Sequence, residues 1–145
     1  MPTWLVTGGA GFIGGNFVLE AVASGIQVIN LDALTYAGNR ANLDPVRDRP
    51  ELRFVHANTN DTARVEALLR EERIDTLVHF AAESHVDRSI TGPDAFIETN
   101  VNGTHSLLKA ARQVWLLEKT VPVHRFHHVS TDEVYGSLGP SDPAF

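Results

Sequence analysis

VTGGAGFIG, residues 6–14, decides the fold. The run TWLVT (3–7) is apolar and partly β-branched, as strands are, and it breaks into glycines at 8, 11 and 14. Ile13, Phe17 and Ala21 then recur at helical spacing, so the glycines join a strand to a helix. Glycine permits the tight turn at 8, close approach of the backbone to an anion at 11, and close helix–sheet packing at 14. The helix start adds unpaired N–H groups and a partial positive charge, which suit a pyrophosphate. An acid closing the next strand completes a dinucleotide-binding pattern, and Asp32 stands there, after VINL and eighteen residues beyond Gly14. A carboxylate at that point accepts from both adenosine ribose hydroxyls and repels a 2′-phosphate. NAD is therefore expected over NADP, with nearby Arg40 able to soften the repulsion.

Outward from this unit the same rhythm continues. Strand-like runs fall at IQVINL (26–31), LRFVH (52–56), IDTLVHF (74–80) and VHRFHHVS (123–130). Between them Val65, Leu68 and Leu69 share one helical face, and Phe96, Gly103, Leu107 and Val114 share another in a longer helix at about 94–117. Pro93, after Gly92, suits a helix start because proline there forfeits an N–H that would lack a partner anyway. Alternating strands and helices imply right-handed crossovers. The expectation is an α/β, doubly wound parallel sheet of Rossmann type in the order 3-2-1-4-5, with residues 1–145 as one NAD-binding domain. Residues 35–50 interrupt the rhythm with Gly, Asn, Asp and Pro and read as an irregular or functional loop.

Composition narrows the function. With 43% apolar and 21% charged residues the chain can bury a core, and its net charge of −6 disfavours nucleic acid or an anionic membrane as a partner. An anionic ligand must be met by local dipoles. The absence of cysteine excludes disulfides and thiolate metal sites, and no stretch has membrane-spanning length, so a cytoplasmic protein is expected. The cluster HRFHH (124–128) is not expected to hold a metal, since His124 and His128 would share one strand face with His127 opposite and no carboxylates complete a shell.

Longer blocks carry a resemblance. LDALTYAGN (31–39), FAAESHVDRSI (80–90), GPDAFIETNVNGT (92–104) and FHHVSTDEVYG (126–136) occur in order over nearly the whole chain. With the widened Gly-x-x-Gly-x-x-Gly spacing, the chain resembles the dTDP-glucose 4,6-dehydratase branch of the extended short-chain dehydrogenase/reductase family. The resemblance implies that NAD oxidises C4 of dTDP-glucose, water leaves across C5 and C6, and the hydride returns to C6. It assigns Glu133 as the base at C5, Asp132 as the acid at the C6 hydroxyl and Thr131 as a hydrogen-bond partner of the C4 oxygen. Burial and the adjacent Glu133 are expected to keep a proton on Asp132. Neighbours in a strand point to opposite faces, so both acids reach one hexose only if the strand stops near Ser130. A competing reading makes Ser130 the cap of a helix and Glu133 its capping-box partner.

The resemblance also implies cofactor contacts at Phe12 and Ile13 under the pyrophosphate, at Asp32, Ala33, Leu34 and Thr35 around the ribose, and at Phe80, Ala81, Ala82, Glu83 and Ser84 after the fourth strand. Thr99 in the long helix joins them, and Ser84 also touches substrate. Asn58 and Thr59 stand where the family carries Asp and Ile beside adenine; Asn58 can still accept from the adenine amine. The family's Tyr-x-x-x-Lys pair is missing, because Tyr36 and Tyr135 are followed four residues on by Arg40 and Gly139. Family members run well over twice this length and dimerise through the long helix and the next. The chain alone is therefore expected to lack a substrate domain and turnover, to be marginally stable and to associate irregularly. A nucleotide-sugar 4-epimerase and a catalytically silent NAD-binding module are the alternatives, and the two adjacent acids argue against the former.

Overall fold

A computed structural model describes residues 1–143; positions 144 and 145 of the expected domain lie outside the described residues. Strands β1 (Thr3–Thr7), β2 (Gln27–Asp32), β3 (Leu52–His56), β4 (Thr76–His79) and β5 (Arg125–His128) form one parallel sheet in the order β3-β2-β1-β4-β5. This is the doubly wound order expected from the sequence. Leu5 aligns with Ile29 and Leu77, and Val6 with Asn30 and Val78, so alternate residues face opposite sides. Leu5, Ile29, Leu31 and Leu77 pack with Val65, Leu68 and Leu69 of α2 (Thr62–Glu71) and with Leu107, Val114 and Trp115 of the long helix. Val6, Val28 and Val78 pack on the other side with Val18, Ala21 and Val22 of α1 (Phe12–Ala23). Burial on both faces is why the strands read as unbroken apolar runs.

The glycine turn rotates α1 away from the face expected of it. A methyl group on Gly14 would lie 2.3 Å from the Gly8 carbonyl oxygen, so Gly14 must face the turn. The buried stripe is then Gly14, Gly15, Val18, Ala21 and Val22, while Ile13 is 67% exposed and Phe17 is half-buried between Trp4 and Phe80. Two strands are shorter than expected. The β4 strand keeps Thr76–His79 and β5 pairs with it over Arg125–His128, with the Phe80 N–H donating to the Thr7 carbonyl at 3.0 Å just past the end of β4. His124 accordingly precedes β5 and stacks on Trp115, so it does not share a strand face with His128. Strand β5 forms one edge of the sheet.

Residues 40–46 of the expected loop form a 3-10 turn, Arg40–Val46, capped by Asn39 and anchored by buried Leu43 and Val46. After the short α3 (Val86–Thr91), helix α4 begins at Pro93 and continues through Pro93–Phe96, Ile97–Gly103, Thr104–Ala111 and Arg112–Leu117 with helical backbone at each junction. Ile97–Gly103 and Arg112–Leu117 are wide π-type turns, a geometry often found at functional sites. Of the face expected from the periodicity, Gly103, Leu107 and Val114 are buried and Phe96 is half-buried, and Trp115 donates its indole N–H to the Ile74 carbonyl at 2.9 Å.

Candidate functional site

All five strands run parallel, so their carboxyl ends and the start of α1 share one edge of the sheet. Gly8 adopts φ 72°, a left-handed backbone that disfavours side chains, and a methyl group there would lie 2.6 Å from the Ala81 nitrogen. Residues 8 and 81 thus bring the turns after β1 and β4 together. Gly11 differs, because a methyl there would meet only the Gly8 oxygen at 3.2 Å and the Ala37 oxygen at 4.0 Å. Its outer side is open. Gly11 caps α1 with no side-chain hydrogen bond, and no acid stands in the first turn. The leading N–H groups of the helix are free for an anion. Phe12, 83% exposed, and Ile13 flank them.

Asp32 closes β2 and is 7% exposed. Its Oδ2 accepts from the Ala10 N–H at 2.9 Å and its Oδ1 from the Leu34 N–H at 2.8 Å, so one carboxylate pins the glycine turn to the turn after β2. Leu34 is held at φ 52° there, between half-buried Ala33 and exposed Thr35. Each oxygen keeps a lone pair for a ribose hydroxyl. Across the cleft, Arg88 of α3 stacks on the Tyr36 ring at 3.8 Å.

The segment after β4 is held from beneath. Half-buried Phe80 and Ala81, exposed Ala82, half-buried Glu83 and exposed Ser84 follow His79. The single amide of Asn100 on α4 accepts from the Glu83 N–H at 2.8 Å and donates to the Glu83 carbonyl at 2.9 Å. His79 is 1% exposed, with Nδ1 2.6 Å from the Thr7 hydroxyl and Nε2 3.0 Å from the Thr104 hydroxyl. Burial lowers its pKa to about 4, helped by His128, whose ring lies 5.1 Å away. On the far side Asn58 is exposed, and its Oδ1 accepts from the Asn60 N–H at 2.9 Å. Thr59 is 5% exposed and lies against Gly103, while half-buried Thr99 occupies the turn between Glu98 and Asn100.

The acids follow β5 at the same edge. Asp132 and Glu133 begin a 3-10 turn, Asp132–Tyr135, whose cap is Thr131 and not Ser130; its hydroxyl accepts from the Glu133 N–H at 3.4 Å. Because β5 ends at His128, the two acids leave a turn and not a strand. The burial expected around Asp132 is not found: both acids are exposed, on the turn beyond the carboxyl end of β5. Among the described residues no group of three or more His, Asp or Glu side chains is placed to hold a metal ion.

Sequence reasoning missed Gly9, Asn30, Thr7, His79, Thr104 and Asn100. Asn30 is fully buried with neither amide atom hydrogen-bonded, and a methyl on Gly9 would lie 2.3 Å from its Oδ1. The signals were present: a fourth glycine in the run, a polar residue inside VINL, and asparagine inside a helix it does not favour.

The sequence profile described as GDP-mannose 4,6 dehydratase matches residues 5–144. The chain is 60% identical over 141 residues to a dTDP-glucose 4,6-dehydratase of Xanthomonas campestris pv. campestris strain B100, covering 96% of this chain and 40% of that protein. It is 51% identical over 142 residues to dTDP-glucose 4,6-dehydratase 1 of Escherichia coli K12, covering 95% and 39%. Among solved structures, the dTDP-glucose 4,6-dehydratase DesIV of Streptomyces venezuelae, with NAD bound, superposes with a TM-score of 0.85 at 52% identity over 96% of this chain and 42% of that one. The UDP-glucose 4-epimerase of Thermus thermophilus, in complex with NAD, gives a TM-score of 0.81 at 33% identity over 99% and 42%. The chain spans about two fifths of the length of the curated relatives it matches.

Proposed function

The chain belongs to the GDP-mannose 4,6 dehydratase family, and from that premise we propose that it is the NAD-binding part of a dTDP-glucose 4,6-dehydratase. The observation that carries the reading is the glycine turn: open at Gly11, uncapped at α1 and tied to Asp32 through Ala10. These residues fit a dinucleotide. The start of α1, with Gly8, Gly11, Phe12, Ile13 and Gly14, would hold the pyrophosphate and Asp32, with Ala33, Leu34 and Thr35, the adenosine ribose. Asn58 and Thr59 would meet adenine, and Phe80, Ala81, Ala82, Glu83, Ser84 and Thr99 would line the nicotinamide half. Bound NAD would supply a hydride acceptor that later returns the hydride to the sugar.

The chain's own contribution is to the elimination. A C4 ketone acidifies the C5 proton, so an ordinary carboxylate can remove it. Glu133 takes that proton, the C5 electron pair forms the C5–C6 double bond, and Asp132 gives a proton to the departing C6 hydroxyl, which leaves as water. Thr131 and Ser84 hold the sugar. The position of Asp132 and Glu133 on a short turn capped by Thr131, past the carboxyl end of β5, and of Ser84 in the segment past the carboxyl end of β4, supports these roles. The reading includes a cytoplasmic homodimer. It is supported by the lack, among the described residues, of any helix long and apolar enough to cross a membrane, and by exposed Ile97, Val101, Leu108 and Leu116 along α4.

Titration of the chain with NAD tests the cofactor site: saturable binding that Asp32→Ala weakens about tenfold or more is expected, and no binding sinks the reading. The chemistry is tested in a chimera carrying residues 1–143 in place of the matching segment of the Xanthomonas relative. It should form the 4-keto-6-deoxy sugar from dTDP-glucose, with Glu133→Gln lowering kcat about a hundredfold or more.

A further inference from the structure

One turn of α4 touches both halves of the cleft. On the adenine side, the Asn60 side-chain amide donates to the Glu98 carbonyl at 3.1 Å and to Glu98 Oε1 at 2.8 Å, while Asn102 donates to Glu98 Oε2 at 2.8 Å. Asn60 also donates its backbone N–H to Asn58, so the Glu98 carboxylate reaches the expected adenine contact through a single residue. Buried Thr59 lies so close to Gly103 that a methyl group there would be 2.6 Å from its hydroxyl, and the Thr62 and Ser106 hydroxyls are 2.6 Å apart. On the nicotinamide side, Asn100 grips both backbone groups of Glu83, and Thr104 bonds His79. Glu98 and Asn100 thus reach opposite loops from the same wide turn, Ile97–Gly103.

We propose that Glu98 is a positioning residue that locks the adenine-side loop, through the wide turn of α4, to the loop that receives nicotinamide, so that the two halves of the dinucleotide bind cooperatively. This rests on the NAD-binding reading above. The physical reason is shared ordering. A ligand in one half fixes its loop against α4, and the other loop, fastened to the same turn, is then already in place for the second half. Glu98 is held on its own helix by Asn102, so its carboxylate presents a fixed acceptor to Asn60.

The test separates the halves. The chain is titrated with AMP in the absence and presence of saturating NMN, and separately with NAD. The wild-type chain is expected to bind AMP about fivefold or more tightly when NMN is present. Glu98→Ala and Asn60→Ala should remove most of that factor and weaken NAD binding to a similar extent, leaving NMN affinity alone unchanged. Glu98→Gln, which keeps an acceptor for Asn60, should restore part of it. Gly103→Ala favours the helix while pushing on Thr59, and should weaken AMP without unfolding the chain; circular dichroism checks that each variant is folded. If the wild type binds NAD but AMP and NMN bind independently, or if Glu98→Ala leaves the coupling factor intact, the inference falls and the cofactor reading stands. Failure of the folded wild type to bind NAD overturns both.

Discussion

A methyl group at Gly8 would collide with the backbone after β4 and sit on a left-handed φ, so the Gly8→Ala substitution tests the turn directly. It should cost about 1–3 kcal/mol of stability from the backbone alone. NAD affinity should fall further than stability because Ala81 is displaced; chemical denaturation and NAD titration read the two effects. His79 makes a second prediction. Its folded pKa of about 4 lies below the ordinary 6.5 because the ring is buried. Between those values the unfolded chain takes up the proton and the folded chain does not. The stabilising effect is therefore complete above about pH 6.5 and is lost as pH falls toward 4, by roughly 3 kcal/mol. Urea midpoints should drop between pH 7 and pH 4.5, and His79→Gln should flatten that fall. The glycines at 8, 11 and 14 and Asp32 are legible in the sequence because only certain residues tolerate their local geometry. Asn100 and His79 are not, since their partners, Glu83, Thr7 and Thr104, come from other elements.

At the scale of elements, hydrophobic period identifies each strand and helix, and pairing trims them. IDTLVHF and VHRFHHVS read as seven and eight residues of strand, yet β4 and β5 keep four each, with single bonds from the Phe80 N–H to the Thr7 carbonyl and from the Val129 N–H to the His79 carbonyl closing the ladders. The rotation of α1 is likewise set by contact between Gly14 and Gly8, which no helical periodicity encodes. The Asn100 clamp shows what an element can do for a loop. Asn100→Ala leaves both Glu83 backbone groups without their partner and should cost about 1–3 kcal/mol locally. Amide exchange should show faster opening across 80–85 while protection in β1 and β4 is kept. Equal loss of protection in β1 would show that the clamp supports the whole sheet.

For the molecule as a whole, the sheet order leaves β5 at an edge, and α4 presents Ile97, Val101, Leu108 and Leu116 to solvent at helical spacing. Unpaired strand edges and apolar helix faces both favour association. Sedimentation should show concentration-dependent self-association of the chain, and the pair Val101→Glu with Leu108→Glu should shift it toward monomer without lowering the melting temperature by more than a few degrees. Unchanged association would place the contact at β5. The amino-acid sequence by itself determined the parallel α/β class and the glycine turn with its acid, because these follow from periodicity, chirality and the backbone limits of single residues; the expected strand order comes from the usual crossover pattern, and the pairing agrees with it. Only the tertiary structure decided which way α1 faces, where the ladders stop, how one turn of α4 grips two loops, and that Asp132 and Glu133 stand exposed. Each of these depends on distances between residues far apart in the chain, and such distances exist only once the sheet has formed.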